Sequence, residues 1–278
     1  MAGASKQVDM RGKTCLVTGV GSPVGREVAK RLAGMGAVVV LGSHDFGQVE
    51  VARSAIIGAH PSAMVDPHTL DLSKRLSISD FVGAFKERHE RLDVIVNVIH
   101  RSSRTKIEAD LGTELTWMAN VLGPYMLIER LLEVLRASTP TRVIQVVSPY
   151  AGGLDLSDTD FDTRTYSGLK AYRQSMQAAR LLAYGLSTNY AIHGIQACAC
   201  VPGVIRGDPG ANFLSLLMAK QPAAAAEGPV WLASAPEAGT LTGKLFLGKK
   251  EIKDKLRDAG DVQTLWHTLG VQANQAVL

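Results

Sequence analysis

The chain has 278 residues, 46% apolar and 20% charged, with a formal net charge of +4. That length buries most of the surface an unfolded chain exposes, and the balance excludes collagen-like and disordered classes. No apolar run approaches the ~20 residues a bilayer crossing needs, and the basic residues are scattered rather than gathered into a nucleic-acid patch.

The opening "MAGASKQVDMRGK" carries no apolar core of a secretory leader, so a cytoplasmic protein is expected. "TCLVTG" (14–19) reads as a first strand, followed by an amphipathic helix from Pro23 to Met35. "AVVVLGS" (37–43) is the second strand and "HTLDLS" (68–73) the third, with a helix across "ISDFVGAFKERHE". "LDVIVNVI" (92–99) is the fourth, and a long helical pattern fills "ELTWMANVLGPYMLIERLLEVLRA". That helix either packs on the sheet or pairs in a homodimer. "RVIQVVS" (142–148) is the fifth strand, with a helix from about Tyr172 to Tyr190. "IQACACV" (195–201) is the sixth and "GKLFLG" (243–248) a short seventh.

The strands are almost continuously apolar, which argues burial on both faces. Strand and helix alternate, which argues parallel pairing with right-handed crossovers. The expected fold is α/β: a single doubly wound Rossmann-type domain with a mainly parallel sheet of about seven strands. Its core runs from residue 8 to 250, with a helical tail over 251–278. Ligands of such sheets bind at the carboxyl ends of the strands. The three cysteines, Cys15, Cys198 and Cys200, lie in strand-like runs and read as reduced packing residues, not metal ligands.

The first strand runs into "TGVGSPVGREVAKRLAGMG", a glycine-spaced turn that opens a helix. Glycines permit the tight turn, and the helix N-terminus faces a pyrophosphate. This stretch resembles the TGxxxGxG of the short-chain dehydrogenase/reductase family, in its retinol-dehydrogenase-like and WW-domain-oxidoreductase-like branch. The long "GGLDLSDTDFDTRTYSGLK" insert and the tail "WLASAPEAGTLTGKLFLGKK" carry the likeness to that branch.

The resemblance implies a nicotinamide dinucleotide held at Thr18, Gly19, Gly21, Ser22, Val24 and Gly25. Pro23 stands where the middle glycine belongs. It is either a harmless first-turn proline or a weakened grip, because it deletes one N–H. "LDLS" implies Asp71 and Leu72 at the adenine, and "VPG" implies Pro202 and Gly203 beside the cofactor. "MANVLG" implies Asn120, "RVIQVVS" implies Ser148, and "AYRQSMQA" implies Tyr172 as the proton-transferring acid.

Where the family carries a lysine four residues after that tyrosine, this chain has Met176. The ammonium lowers the phenol pKa and holds the ribose; methionine does neither. "TYSGLKAY" offers a second pair, Tyr166 and Lys170, but the distance to Pro202 matches the family from Tyr172 and not from Tyr166. Lys170, two residues before Tyr172, is left as a substitute that reaches in from a loop.

Other positions also depart from the family. Its NNAG reads "NVIH": Asn97 is kept, while Val98, Ile99 and His100 replace small residues. His100 is a surface residue, a steric block or a new acid/base group. Ser43 and His44 stand where an acid would select NAD, which favours NADP(H). Gly207 stands where a threonine often meets the carboxamide.

Two functions remain open. One is an NADP(H)-linked oxidoreductase on a small or apolar carbonyl or alcohol, monomer or homodimer, with no metal. The other is a pseudoenzyme, or a non-redox protein that keeps the fold.

Overall fold

The computed structural model describes residues 8–98, 100–205, 208–211, 213 and 217–274. Its strands are β1 (Thr14–Thr18), β2 (Val38–Ser43), β3 (Val65–Thr69), β4 (Val94–Val98), β5 (Thr141–Val146), β6 (Ile195–Val201), β7 (Lys244–Leu247) and β8 (Lys250–Ile252). They form one eight-stranded sheet in the order β3-β2-β1-β4-β5-β6-β7-β8. Every pairing is parallel except β7 with β8. The chain winds outward from β1 to β3 and then restarts on the far side at β4. The switch point, and the crevice it opens, therefore lies between β1 and β4.

Side chains alternate strictly between two layers. Leu16, Val40, Ile95, Val143 and Ala197 pack on one face, and Cys15, Val17, Val39, Val96, Cys198 and Cys200 on the other. The second face is covered by α1 (Pro23–Gly34), α2 (Phe46–Ala59) and α8 (Pro222–Ser234). The first is covered by α3 (Arg75–Arg88), α4 (Leu115–Trp117), α5 (Gly123–Arg130), α6 (Leu132–Ala137), α7 (Gly168–Tyr190) and α9 (Ala259–Asn274). All three cysteines are free and buried. Burial pushes the thiols up, Cys15 to about 12 and Cys198 to about 11, which makes them packing groups rather than nucleophiles.

Four sequence expectations are corrected. The sheet has eight strands, not about seven, because Lys250–Ile252 folds back as an antiparallel edge. The third strand spans Val65–Thr69, not 68–73. Pro67 masked it: proline suits only an edge strand, and β3 is that edge. The long fourth helix is broken by a π turn over Met118–Leu122 before α5 begins. Finally, α7 begins at Gly168, so Tyr172 lies one turn inside the helix instead of opening it. The apolar side chains of α5 from Tyr125 to Ile128 are buried within the chain itself.

Candidate active site

The crevice at the ends of β1, β2 and β4 is built first by the β1–α1 turn. Gly19 takes a φ of +68°, which favours glycine. Ser22 caps α1: its Oγ accepts from the Gly25 N–H at 3.0 Å and donates to the Gly19 carbonyl at 2.9 Å. A Cβ at Gly25 would lie 2.4 Å from that carbonyl oxygen, so only glycine lets the helix start this close to the strand. Pro23 fills the first helical position. Among the described residues the N–H groups of Gly21 and Val24 have no partner, and they point to an anion at a helix N-terminus.

The groove beside this turn is lined by Thr18, Gly19, Ser43, His44, Leu70, Asp71, Leu72, Arg101 and Ala119. Ser43 is buried, while His44 is exposed. His44 lies 3.3 Å from Arg101, Nε2 to Nη1. Arg101 was not identified from sequence; it sits next to His100, and only the folded loop carries it across to the end of β2. Asp71 accepts from the N–H and the hydroxyl of Ser73, at 3.0 and 2.6 Å. Thr18 donates to Asn97 Oδ1 at 3.0 Å, and Asn97 Nδ2 is buried with no partner among the described residues.

Asn120 lies in the π turn, a local distortion frequent at functional sites. Its amide clamps the backbone of Arg101, accepting from N–H at 2.9 Å and donating to the carbonyl at 2.8 Å. It also donates to Ser175 Oγ at 3.0 Å. Asn120 therefore fixes the loop that carries both His100 and Arg101.

The donor set fits a dinucleotide on its phosphate and adenosine side. Two free amides and two basic side chains converge there on a groove that also carries Thr18, Ser43 and Asp71.

The other end of the crevice is closed. Tyr172, Ser148 and Met176 are 0%, 1% and 1% exposed. Tyr172, Met176, Arg180 and Tyr184 recur every fourth residue and share one face of α7. Two of them grip Ser148 by its backbone. Its N–H donates to Met176 Sδ at 3.4 Å, and its carbonyl accepts from Arg180 Nη2 at 2.8 Å. Arg180 is itself buried and lies 3.6 Å from the carboxylate of Asp254.

The Ser148 hydroxyl donates to Asp208 Oδ2 at 2.8 Å and accepts from the Tyr150 N–H at 3.0 Å. Asp208 also accepts from the Gly210 N–H at 3.0 Å through Oδ1. The Tyr172 hydroxyl lies 3.3 Å from His100 Nδ1. Burial first, and then the Asp208 carboxylate, push the Tyr172 phenol far above its ordinary range. Burial pulls His100 below 6.5, with Asp208 opposing. Asp208, like Arg101, escaped sequence reading. It lies beyond the PG turn and meets Ser148 only through space.

The second tyrosine–lysine pair does not assemble. Tyr166 precedes α7, and its hydroxyl lies 3.1 Å from Glu114 Oε1 and 3.2 Å from the Ser103 carbonyl, the two acceptors open to its one proton. Burial pushes its phenol to about 12. Lys170 is exposed in the first turn of α7, with no hydrogen bond or ion pair among the described residues. The structure leaves it outside the Ser148–Tyr172 cluster. Pro202 is buried, and Gly203 takes a φ of +102°. Ile99 and Gly207 lie outside the described residues. Among the described residues no group of His, Cys, Asp or Glu could hold a metal, and no helix is long and apolar enough to cross a membrane.

The chain is similar to known proteins in sequence and in fold. Residues 13–214 match the short chain dehydrogenase family. Human retinol dehydrogenase 13 is 32% identical, over 86% of this chain and 77% of its own. Chicken WW domain-containing oxidoreductase is 30% identical, over 70% of this chain and 49% of its own. Among solved structures, an uncharacterised protein from Mycobacterium paratuberculosis superposes with a TM-score of 0.81 at 23% identity, covering 97% of this chain and 96% of its own. L-Sorbose reductase from Gluconobacter frateurii, complexed with NADPH and L-sorbose, gives 0.71 at 18% identity, over 90% of this chain and all of its own. These two likenesses speak for the fold alone. The matched span, the retinol dehydrogenase likeness and the β1–α1 crevice together make the chain a member of the short chain dehydrogenase family.

Proposed function

We propose that the protein is an NADP(H)-linked oxidoreductase acting at the carbonyl or alcohol oxygen of a small or apolar molecule. The observation that carries this reading is the pair of basic side chains, Arg101 and His44, at the end of β2, where an acid would select NAD. When bound, the nicotinamide would supply or accept a hydride. Thr18, Gly19, Gly21, Ser22, Val24 and Gly25 would hold the pyrophosphate. Ser43, His44 and Arg101 would meet the 2′-phosphate, and Asp71 with Leu72 the adenine. Asn97, Pro202 and Gly203 would border the nicotinamide. Ser148 would orient the reacting oxygen and Tyr172 would exchange its proton. Asn120 would act through the loop it clamps. An apolar substrate is supported by the likeness to a retinol dehydrogenase. The buried free thiols support a cytoplasmic protein, and the internal burial of α5 suits a monomer as well as a homodimer.

Met176, in the position the resemblance gives to lysine, brings no charge to Tyr172. A second reading, a fold kept without redox turnover, is favoured by one observation. The single hydroxyl proton of Ser148 is already donated to Asp208, so none is left for a substrate oxygen. Fluorescence titration with NADPH and NADH tests the first reading. NADPH is expected to bind at least about tenfold tighter, as one added charge-assisted hydrogen bond provides. Tighter binding of NADH would overturn the assignment of the β2 end.

A further inference from the structure

A tyrosine that works as an acid or base needs somewhere to send its proton. In this site the usual remedy, a nearby positive charge, is missing. Among the described residues no lysine or arginine side chain bonds to Tyr172 or Asp208, and the residue one turn along α7 is Met176. The ring is wholly buried and the nearest charge is a carboxylate. Both factors penalise a phenolate, so a route in which Tyr172 ionises is closed near neutral pH.

The hydroxyl nevertheless has a nitrogen beside it: His100 Nδ1, at 3.3 Å. Burial pulls the imidazole below its ordinary value of about 6.5, which favours the neutral ring, and a neutral ring with a bare Nδ1 is a proton acceptor. Its other nitrogen, Nε2, is buried with no partner among the described residues. Nothing there competes for the lone pair facing Tyr172. The groups facing the ring are Tyr172 from α7, Asp208 from the segment after β6, and Arg101 beside it in the chain. Arg101 lies against His44 at the end of β2. Asp208 is the one carboxylate among them. It is held by the Ser148 hydroxyl and the Gly210 N–H, and its field favours a charged ring.

We propose that His100 is the second member of a proton relay through Tyr172, with Asp208 supporting the imidazolium. This rests on the oxidoreductase reading above. During alcohol oxidation the substrate hydroxyl gives its proton to Tyr172 Oη as Tyr172 gives its own to His100 Nδ1. The O–H electron pair stays on the substrate oxygen and becomes the second bond of the carbonyl. The carbon–hydrogen pair leaves as hydride to the oxidised nicotinamide. Tyr172 ends as a neutral phenol, and the positive charge ends on His100 beside the carboxylate. Reduction is the reverse. The phenolate that this pocket penalises never forms.

The relay can be tested without cofactor. The full chain, labelled with 15N in its seven histidines, is titrated by NMR, with His100→Gln assigning the resonance. The relay requires Nε2 protonated and Nδ1 bare at pH 7.5. It also requires Asp208→Asn to lower the His100 titration by about half a pH unit or more, through loss of the carboxylate. A ring protonated at Nδ1, or a titration unmoved by Asp208→Asn, overturns it.

A second arm uses cyclohexanol and NADP+. The rate should rise through the His100 titration and stay flat to about pH 9, and His100→Gln should cut kcat by about 100-fold, the usual size of a lost acid/base group. In that variant the remaining rate should climb towards pH 10, the ordinary tyrosine range. A wild-type rate that climbs steadily to pH 10, a His100→Gln variant that keeps its rate, or no turnover with NADP+ bound each counts against the relay. Failure to bind NADPH removes the oxidoreductase reading and the relay's reaction with it, whereas NADPH binding with the wrong His100 tautomer or an unmoved titration overturns the relay alone.

Discussion

The two ends of the crevice are built from the same sheet edge and differ in what they leave unsatisfied. At the adenosine end the N–H groups of Gly21 and Val24 have no partner among the described residues, and Arg101 and His44 are exposed. That end has donors ready for an anion. At the reacting end the hydroxyl donors are turned to the chain itself, while His100 Nε2 and Arg180 Nε are buried without a partner among the described residues. Ser148 gives to Asp208, Tyr172 faces His100, and Arg180 holds the Ser148 carbonyl. Exposed donors at one end and buried, inward-turned groups at the other predict a protein that grips a nucleotide more readily than it opens its chemistry.

The largest expected effect tests how the closed end is held. Arg180→Met leaves Asp254, whose side chain is only 2% exposed, without its buried partner. Breaking such a pair from one side costs about 3 kcal/mol, read by denaturant unfolding. NADPH affinity should stay unchanged; a matching loss of affinity would show that the two ends are not independent. Next is Met176→Lys, placed in the His100→Gln background. An ammonium one turn from Tyr172 stabilises the phenolate, so turnover of a simple carbonyl or alcohol probe should recover by about 30-fold, or about 2 kcal/mol. No recovery would separate Met176 from the proton chemistry.

Two smaller effects probe the open end. Arg101→Ala should weaken NADPH by about 1.5 kcal/mol, one charge-assisted hydrogen bond, and leave NADH unmoved. Equal loss for both nucleotides would place Arg101 away from the 2′-phosphate. Pro23→Gly restores an N–H at the start of α1 and should tighten either nucleotide by about 1 kcal/mol in calorimetry, with slightly lower thermal stability from a freer unfolded chain. Unchanged affinity makes Pro23 purely structural.

The smallest effect is on stability and pH. His100 binds its proton less readily in the folded chain than the ordinary value of about 6.5. As pH falls below that value the unfolded chain gains a proton that the folded chain does not, so stability falls as pH drops through that window. His100→Phe should flatten this slope, and an unchanged slope would mean the ring titrates freely.

What the sequence made legible follows from range. Apolar runs and the glycine-spaced turn are local signals, and β1, α1, β4, β5 and β6 stand close to where those signals placed them. The third strand was misplaced because Pro67 looks like a break until the strand is seen to be an edge. Ser148, Tyr172 and Asn120 are named from motifs; Asn120 reaches Tyr172 through Ser175 and through the loop that carries His100. Their partners were not legible. Asp208 reaches Ser148 across 60 residues of sequence, and His100 reaches Tyr172 across 72. No periodicity records such contacts. The Tyr166–Lys170 spacing shows the opposite failure: a local pattern that the fold pulls apart, with Tyr166 turned to Glu114.

The contrast between the two ends has one direct measurement: calorimetry of 2′,5′-ADP against NADPH on the wild-type protein. The adenosine-side fragment carries the adenine, the 2′-phosphate and the first phosphate of the pyrophosphate. The account predicts that it binds within about threefold of NADPH, a difference below 1 kcal/mol. NADPH binding about 100-fold tighter than the fragment would show that the reacting end contributes most of the affinity, and would contradict it.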